Sequence, residues 1–389
     1  VQAAGRLNLE DMLAAARAAT GLSELGEPDI LPGLAVLTEA LNHEARLHPL
    51  GVETQRAALT NLLANRLRIA DTLAHHPGIL DEDIMGPIIV IGLARSGTTK
   101  MQRMMANDPA LKTLPLWRIL NPMPLGPVPP GAPDPRIAAT EQLSALMRDH
   151  FPAFFAGHPM IAAEPDEESL MSDLAMRGSF TGHACHVPSF DAWMERQDHR
   201  PWYRLLRRML QIFQWQDGPP RKLWLLKSPS HLGHLDALFE VFPNATVVHC
   251  HRDPVLTTAS IAQLSEAGRR MYSDVEDLHA TSRYVLKYWS GLMRRYVQQR
   301  PVYEERHRFV DVAYREITGD TMAAIERVYA AACMKLTPQA RTAMQAWEAA
   351  NPPGKHGQHR YELASSGLTT DDVCTAFAAY LERFGALIS

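Results

Sequence analysis

The chain has 389 residues, 46% of them hydrophobic and 21% charged, with a formal net charge of −4 at neutral pH. That length supports one large domain or two ordinary ones with ample core. The charge argues against a general nucleic-acid binder, so an anionic ligand has to be met by local cations.

Val1–Gly5 has neither the charged nor the apolar region of a signal peptide. No apolar run approaches the roughly 20 residues of a membrane span. Four widely spaced cysteines (Cys185, Cys250, Cys333, Cys374) form no CxxC pair, which speaks against a disulfide framework or zinc site and for reduced thiols in a cytoplasmic protein. Residues 7–76 show helical periodicity. Leu59, Leu62, Leu63, Leu67 and Ile69 make an apolar stripe, with Arg56, Arg66 and Arg68 expected to face water. We therefore expect a helical N-terminal region over 1–80, packed on an α/β domain over 81–389.

The first strand is predicted at 87–92, after the turn signal His76-Pro77-Gly78. A helix over 98–107 stops before Asn107-Asp108-Pro109. The Pro- and Gly-rich stretch 115–135 cannot be regular helix or central strand, and it opens a substrate-facing, lid-like insertion over 115–220. Helical patterns resume at 136–150, 167–178 and 200–216. A strand at 222–226 ends at Lys227, a helix follows at about 231–241, and a third strand over 245–250 ends at His251-Arg252-Asp253-Pro254, with another helix beyond. A fourth strand is expected at 308–312. Short apolar strands alternating with helices predict a central parallel sheet, P-loop-like and flanked by helices on both faces. Ligands bind such sheets at the carboxyl ends of the strands, where Arg95, Lys227 and Arg252 all fall.

The segment Gly92-Leu93-Ala94-Arg95-Ser96-Gly97-Thr98-Thr99-Lys100 joins the first strand to the first helix of this domain. Its backbone N–H groups and helix dipole suit a phosphate-like anion. It is not a Walker A loop, because Thr98 stands where the triphosphate-binding lysine should follow the second glycine. Arg95 supplies the cation instead.

These residues resemble the sulfotransferases that use 3′-phosphoadenosine 5′-phosphosulfate (PAPS), in particular their bacterial branch. The loop 92–99 is similar to the family's 5′-phosphosulfate loop. Arg252 and Ser260, eight positions apart, resemble its 3′-phosphate motif, and Leu226-Lys227-Ser228-Pro229-Ser230-His231-Leu232 resembles the segment bearing its catalytic lysine. A looser match is Gly354-Lys355-His356-Gly357-Gln358-His359-Arg360-Tyr361, where the family has a basic loop (here 351–367) closing over the nucleotide. The resemblance implies PAPS as co-substrate and no metal. Arg95 and the N–H groups of Ser96, Gly97, Thr98 and Thr99 would hold the 5′-phosphosulfate, and Arg252 and Ser260 the 3′-phosphate. Tyr314, Lys355, His359, Arg360 and Tyr361 would line the nucleotide. Lys227 would neutralise the leaving bridging oxygen. The partner would be a small-molecule acceptor alcohol or phenol, largely apolar, with a homodimer left open.

Two positions depart from the pattern. Lys100 replaces a residue that is often apolar or tryptophan, and Arg118, in Leu116-Trp117-Arg118-Ile119, stands where relatives often carry a glutamate base. A guanidinium cannot take up a proton, so the base is sought in His231 and in the run Glu164-Pro165-Asp166-Glu167-Glu168. Within that run Glu164 and Glu167 are the candidates, and a plain helix-start acidic cluster is the competing reading. His183-Ala184-Cys185-His186 resembles a metal set only faintly, with no matching ligand pair. Met101, Met104, Met105, Met160, Met171 and Met176 are core or an adaptable apolar acceptor wall; Phe151, Phe154, Phe155, Trp193 and Trp202 add to such an interior. The competing functions are a P-loop kinase, which the missing lysine disfavours, and a protein of the same fold that binds nucleotide or acceptor with lost or altered transfer.

Overall fold

The structure is a computed structural model that describes residues 5–126, 128–129, 131–178, 180–352 and 363–388. Lys355, His359, Arg360 and Tyr361, most of the expected nucleotide-closing loop, lie outside them.

Three helices come first: α1 (Leu9–Thr20), α2 (Leu31–His43) and α3 (Pro49–His75). Their apolar stripes form one cluster that includes Leu34, Leu59, Leu63 and Leu67, and Met176, Val187 and Phe190 from the later insertion complete it. Arg66 corrects the sequence reading. It is 1% exposed rather than in water, and its Nη2 donates to the carbonyls of Leu25, Gly26 and Pro28 at 2.7, 2.9 and 3.1 Å. Burial lowers its pKa to about 10. A guanidinium has enough donors to gather three loop carbonyls at once, and here it fixes the α1–α2 connection.

The sheet follows. β1 (Ile88–Ile91) leads to α4 (Thr98–Met105), β2 (Leu111–Lys112), α5 (Leu116–Leu120), α6 (Pro135–His150), α7 (Pro152–Gly157), α8 (Phe180–Ala184), α9 (Pro188–Met194) and α10 (Arg200–Asp217). Next come β3 (Leu223–Lys227), α11 (Leu235–Val241), β4 (Thr246–His251), α12 (Pro254–Arg269), α13 (Leu278–Glu304) and β5 (Arg308–Ala313). The chain closes with α14 (Tyr314–Gly319), α15 (Thr321–Ala331), α16 (Pro338–Ala350), α17 (Thr370–Ala376) and α18 (Ala378–Ile388). The five strands run parallel in the order β2-β3-β1-β4-β5.

Both faces of this sheet are covered, as an all-parallel sheet requires. Ile89, Ile91, Leu226 and Val247 belong to one core with α10, α11 and α13. Ile88, Val90, Leu225 and Val248 belong to the other, with Met101, Met104 and Met105 of α4 and with α15. All four β1 side chains are fully buried, each contributing about 1.5–3 kcal/mol of transfer free energy. The pairing sets Val90 beside Lys227, Ile91 beside His249 and His251 beside Ala313. β4 and β5 thereby end together and run past the ends of β1 and β3.

Three expectations shift in detail. The edge strand β2 was not foreseen. The 115–135 stretch contains a one-turn helix, α5, started by a proline at its N-cap. Residues 168–175 form a 3-10 segment rather than the α-helix expected over 167–178.

Candidate active site

The loop after β1 is built to approach other groups closely. Gly92 has φ +146°, and a Cβ there would lie 2.5 Å from the Cys250 carbonyl oxygen and 2.6 Å from Ser96 Oγ. At Gly97 (φ +91°) a Cβ would lie 3.0 Å from Ile317. Arg95 itself takes a left-handed φ of +72°, which costs a non-glycine residue about 1 kcal/mol or more and is typical of loops held for function. The ends of β4 and β5 close around this loop. Arg252, one residue past β4, donates from Nη1 to the Arg95 carbonyl at 2.6 Å. Its guanidinium lies over the ring of Tyr314, the first residue after β5, at 3.9 Å. Asp253 turns away to cap α12 by accepting from Val255 N at 2.8 Å. Ser260 sits two turns into α12 and is 3% exposed.

Three polar atoms in this region are buried without a partner: Ser96 Oγ, Arg252 Nε and Ser260 Oγ. Buried polar atoms are normally paired. Ser96 Oγ and Arg252 Nε, unpaired at the loop before α4, offer donors to an anion, and Ser260 Oγ on α12 offers another. They fit the phosphates of a PAPS-type nucleotide.

On the β3 side, Lys227 is 1% exposed and its Nζ donates to Glu167 Oε1 at 2.8 Å. Its backbone N–H donates to Glu168 Oε2 at 2.9 Å. The other oxygen of Glu168 lies 2.6 Å from His231 Nε2, and His231 Nδ1 lies 2.9 Å from the Tyr203 hydroxyl. Burial, reinforced by the Glu168 charge, holds the Tyr203 phenol well above its ordinary pKa, so it stays protonated beside Nδ1. All three side chains are buried. His231 therefore has both nitrogens engaged in a chain that orients Glu168 and, through it, the end of β3.

Glu164 is set apart from this cluster: its carboxylate lies 3.5 Å from Arg103 Nε, and its carbonyl accepts from Leu116 N at 3.0 Å. Asp166, between the two glutamates, turns inward to His158, with 3.3 Å between Asp166 Oδ2 and His158 Nε2. Burial raises the pKa of Asp166, but the His158 charge and hydrogen bond, Lys227 and the Glu167 N–H outweigh it and hold the group well below the carboxylate range. For His158, burial lowers the pKa, and Asp166 with Glu167 outweighs it and raises the imidazole above its usual value.

His158 was not singled out in the sequence. It borders a cavity of about 410 Å³ between α3, α5, α6 and the 168–175 segment, walled by Leu59, Leu62, Ile119, Leu143, Met160 and Leu174 among others. Its neighbour Gly157 accepts from Arg95 Nη1 at 2.8 Å. Residues 157–168 thus touch the loop after β1, the Lys227 centre and the apolar cavity. Met160, Met171 and Phe154 belong to that wall. Met101, Met104 and Met105 lie under the sheet, Trp202 is in the main core, and Met176 and Trp193 pack with α1–α3.

Arg118 and Lys100 are both accounted for by contacts elsewhere. Arg118 Nη1 donates to Asp217 Oδ2 at 2.8 Å and Nη2 to Gln216 Oε1 at 2.9 Å, binding α5 to the end of α10. It is not among the cavity residues, although Leu116, Ile119 and Leu120 are. Lys100 Nζ reaches Glu348 Oε1 at 2.6 Å and the Ile317 carbonyl at 2.8 Å. In 183–186, Cys185 is buried, its thiol pushed up to about 12 by burial, which disfavours the thiolate a metal needs. Among the described residues, His249, His251 and Asp311 could bring ligand atoms within 4.8 Å of one another. Arg300 already holds both Asp311 oxygens at 2.9 Å, which leaves that carboxylate with little to offer a cation.

The profile of the Sulfotransferase family matches residues 87–338. The chain belongs to the sulfotransferase family. Its fold is similar over the whole chain to the crystal structure of sulfotransferase STF9 from Mycobacterium avium, with a TM-score of 0.87, 26% identity and coverage of 100% of this chain and 99% of that one. Sulfotransferase STF1 from Mycobacterium tuberculosis H37Rv is 30% identical, with a TM-score of 0.76 and coverage of 97% and 100%. Omega-hydroxy-beta-dihydromenaquinone-9 sulfotransferases of Mycobacterium bovis and Mycobacterium tuberculosis are 28% identical over 153 residues, covering 36% of this chain. The match spans 37% of the length of those curated relatives.

Proposed function

We propose that the protein transfers the sulfuryl group of PAPS to a hydroxyl of a small, largely apolar acceptor. The observation that carries this reading is the convergence at residues 157–168 of an anion loop, a buried lysine and an apolar cavity. In the proposed reaction the acceptor oxygen attacks sulfur, an acceptor O–S bond forms and the bond from sulfur to the bridging phosphate oxygen breaks. The products are the sulfate ester and 3′-phosphoadenosine 5′-phosphate (PAP). The charge developing on the bridging oxygen is met by Lys227, as in other in-line transfers governed by positioning and electrostatics. Arg95 and the N–H groups of Ser96 to Thr99 hold the 5′ end, and Arg252 and Ser260 the 3′-phosphate, with Tyr314 beside them. The acceptor proton passes to His158, whose Nε2 is turned to Asp166 and which borders the cavity. Glu167 sets Lys227, while His231 acts through Glu168.

The name of the matched curated relatives specifies a hydroxyl on a dihydromenaquinone, in keeping with a lipophilic alcohol for this cavity. Calorimetry with PAP, and transfer of labelled sulfate from PAPS to a panel of apolar alcohols and phenols, test the assignment. Micromolar PAP binding and labelled product are expected. Failure of the folded protein to bind PAP would overturn it, as would equal stabilisation by ATP–Mg, and binding without turnover across the panel would favour the lost-transfer reading.

A further inference from the structure

The acceptor cavity has a second polar station, away from the residues assigned to transfer. Four residues of α3 at helical spacing, Ala58, Asn61, Leu62 and Asn65, border it on one side, and Asp173 and Thr181 border it on another. Asn65 is 2% exposed; its Nδ2 donates to the Asn61 carbonyl at 3.0 Å, and its Oδ1 has no partner. Asp173 Oδ2 accepts from Thr181 Oγ1 at 3.1 Å, while Oδ1 is buried without a partner. Burial pushes the Asp173 carboxyl up to about 6, with the Thr181 hydrogen bond pulling the other way.

Two unpaired buried acceptors in an otherwise aliphatic wall cost stability without any benefit to packing. Their shared need is a hydrogen-bond donor. A neutral hydroxyl meets it without burying another charge, which an ammonium group would do.

Resting on the sulfuryl-transfer reading, we infer that the acceptor is bifunctional: an apolar body with the reacting hydroxyl at one place and a second hydroxyl whose single proton is shared between Asn65 Oδ1 and Asp173 Oδ1 in a three-centre hydrogen bond. The two residues select against mono-alcohols of the same skeleton. A site built around buried acceptors discriminates strongly against an analogue lacking the donor, because its acceptors stay unpaired.

The test uses alkanediols from octane to hexadecane, each with its mono-alcohol and its mono-methyl ether. Binding is measured by calorimetry with and without PAP, and transfer by kcat/KM with PAPS. For at least one chain length the diol should bind roughly tenfold or more tighter than both analogues. Asn65→Leu, or Asp173→Asn should Asn65→Leu not fold, should bring the diol down to the level of its methyl ether. Equal binding of diol, mono-alcohol and ether at every length overturns the inference, and so does a diol preference that survives both substitutions. Loss of PAP binding would instead overturn the donor assignment, and the diol preference measured without PAP keeps the two failures apart.

Discussion

Replacing Ser260 by alanine should act with opposite sign on the empty and the nucleotide-loaded protein. Ser260 Oγ is buried without a partner on a residue that is 3% exposed. An unsatisfied buried hydroxyl costs about 1–3 kcal/mol, so its removal should leave the melting temperature unchanged or raise it. In the proposed function a bound 3′-phosphate would take a charge-assisted hydrogen bond from the same hydroxyl, worth about 1.5–3 kcal/mol. Losing that bond weakens PAP by roughly 10- to 150-fold at 1.4 kcal/mol per decade. AMP, which lacks the 3′-phosphate, should bind the variant and the wild type alike. Calorimetry with PAP and AMP, beside thermal unfolding without ligand, reads all three effects. PAP affinity within twofold of wild type, or a variant that melts several degrees lower when empty, would refute the reasoning.

Lys227→Met should lower kcat by about 10²–10³ and also reduce stability, because Glu167 loses its 2.8 Å partner. Adding Glu167→Gln should recover most of the stability and none of the rate. Parallel unfolding and single-turnover measurements check this, and recovered turnover in the double variant would remove Lys227 from the chemistry. The raised pKa of His158 gives two opposed pH trends. Its charged pairing with Asp166 stabilises the fold fully below the unfolded pKa of about 6.5, and that stabilisation is lost as pH rises through the higher folded value. A base must be neutral, so kcat/KM should rise through the same window. Melting curves and rate profiles of wild type and His158→Gln from pH 5 to 9 should show both trends in the wild type alone; a pH–rate profile unchanged in the variant would exclude His158 as the base.

The strand-end loop and cations proposed for the donor were legible because each part is local in sequence. A β-branched run, Gly92, Gly97 and Arg95 fall within one turn, and Lys227 and Arg252 each mark the end of an apolar strand. Tertiary context hid the acceptor side. His158 follows a proline-started helix of six residues, and only Asp166, Gly157 and the Arg95 side chain, 62 residues from Gly157, give it a role. Arg66 was misread because helical periodicity places a charged residue outside, whereas the loop carbonyls of Leu25, Gly26 and Pro28 supply it with partners inside. β2 is two residues long, below what any periodicity can reveal, and the 3-10 turn at 168–175 follows from the demands of Glu168 and its neighbours on β3.

Arg95 is shared between two tasks. Its guanidinium is held by the carbonyl of Gly157, next to His158. Among the described residues its remaining N–H groups face no such carbonyl, so in the proposed function one guanidinium would link the donor in the loop to the acceptor wall. Whatever factor the donor adds to acceptor affinity, the acceptor must return to the donor.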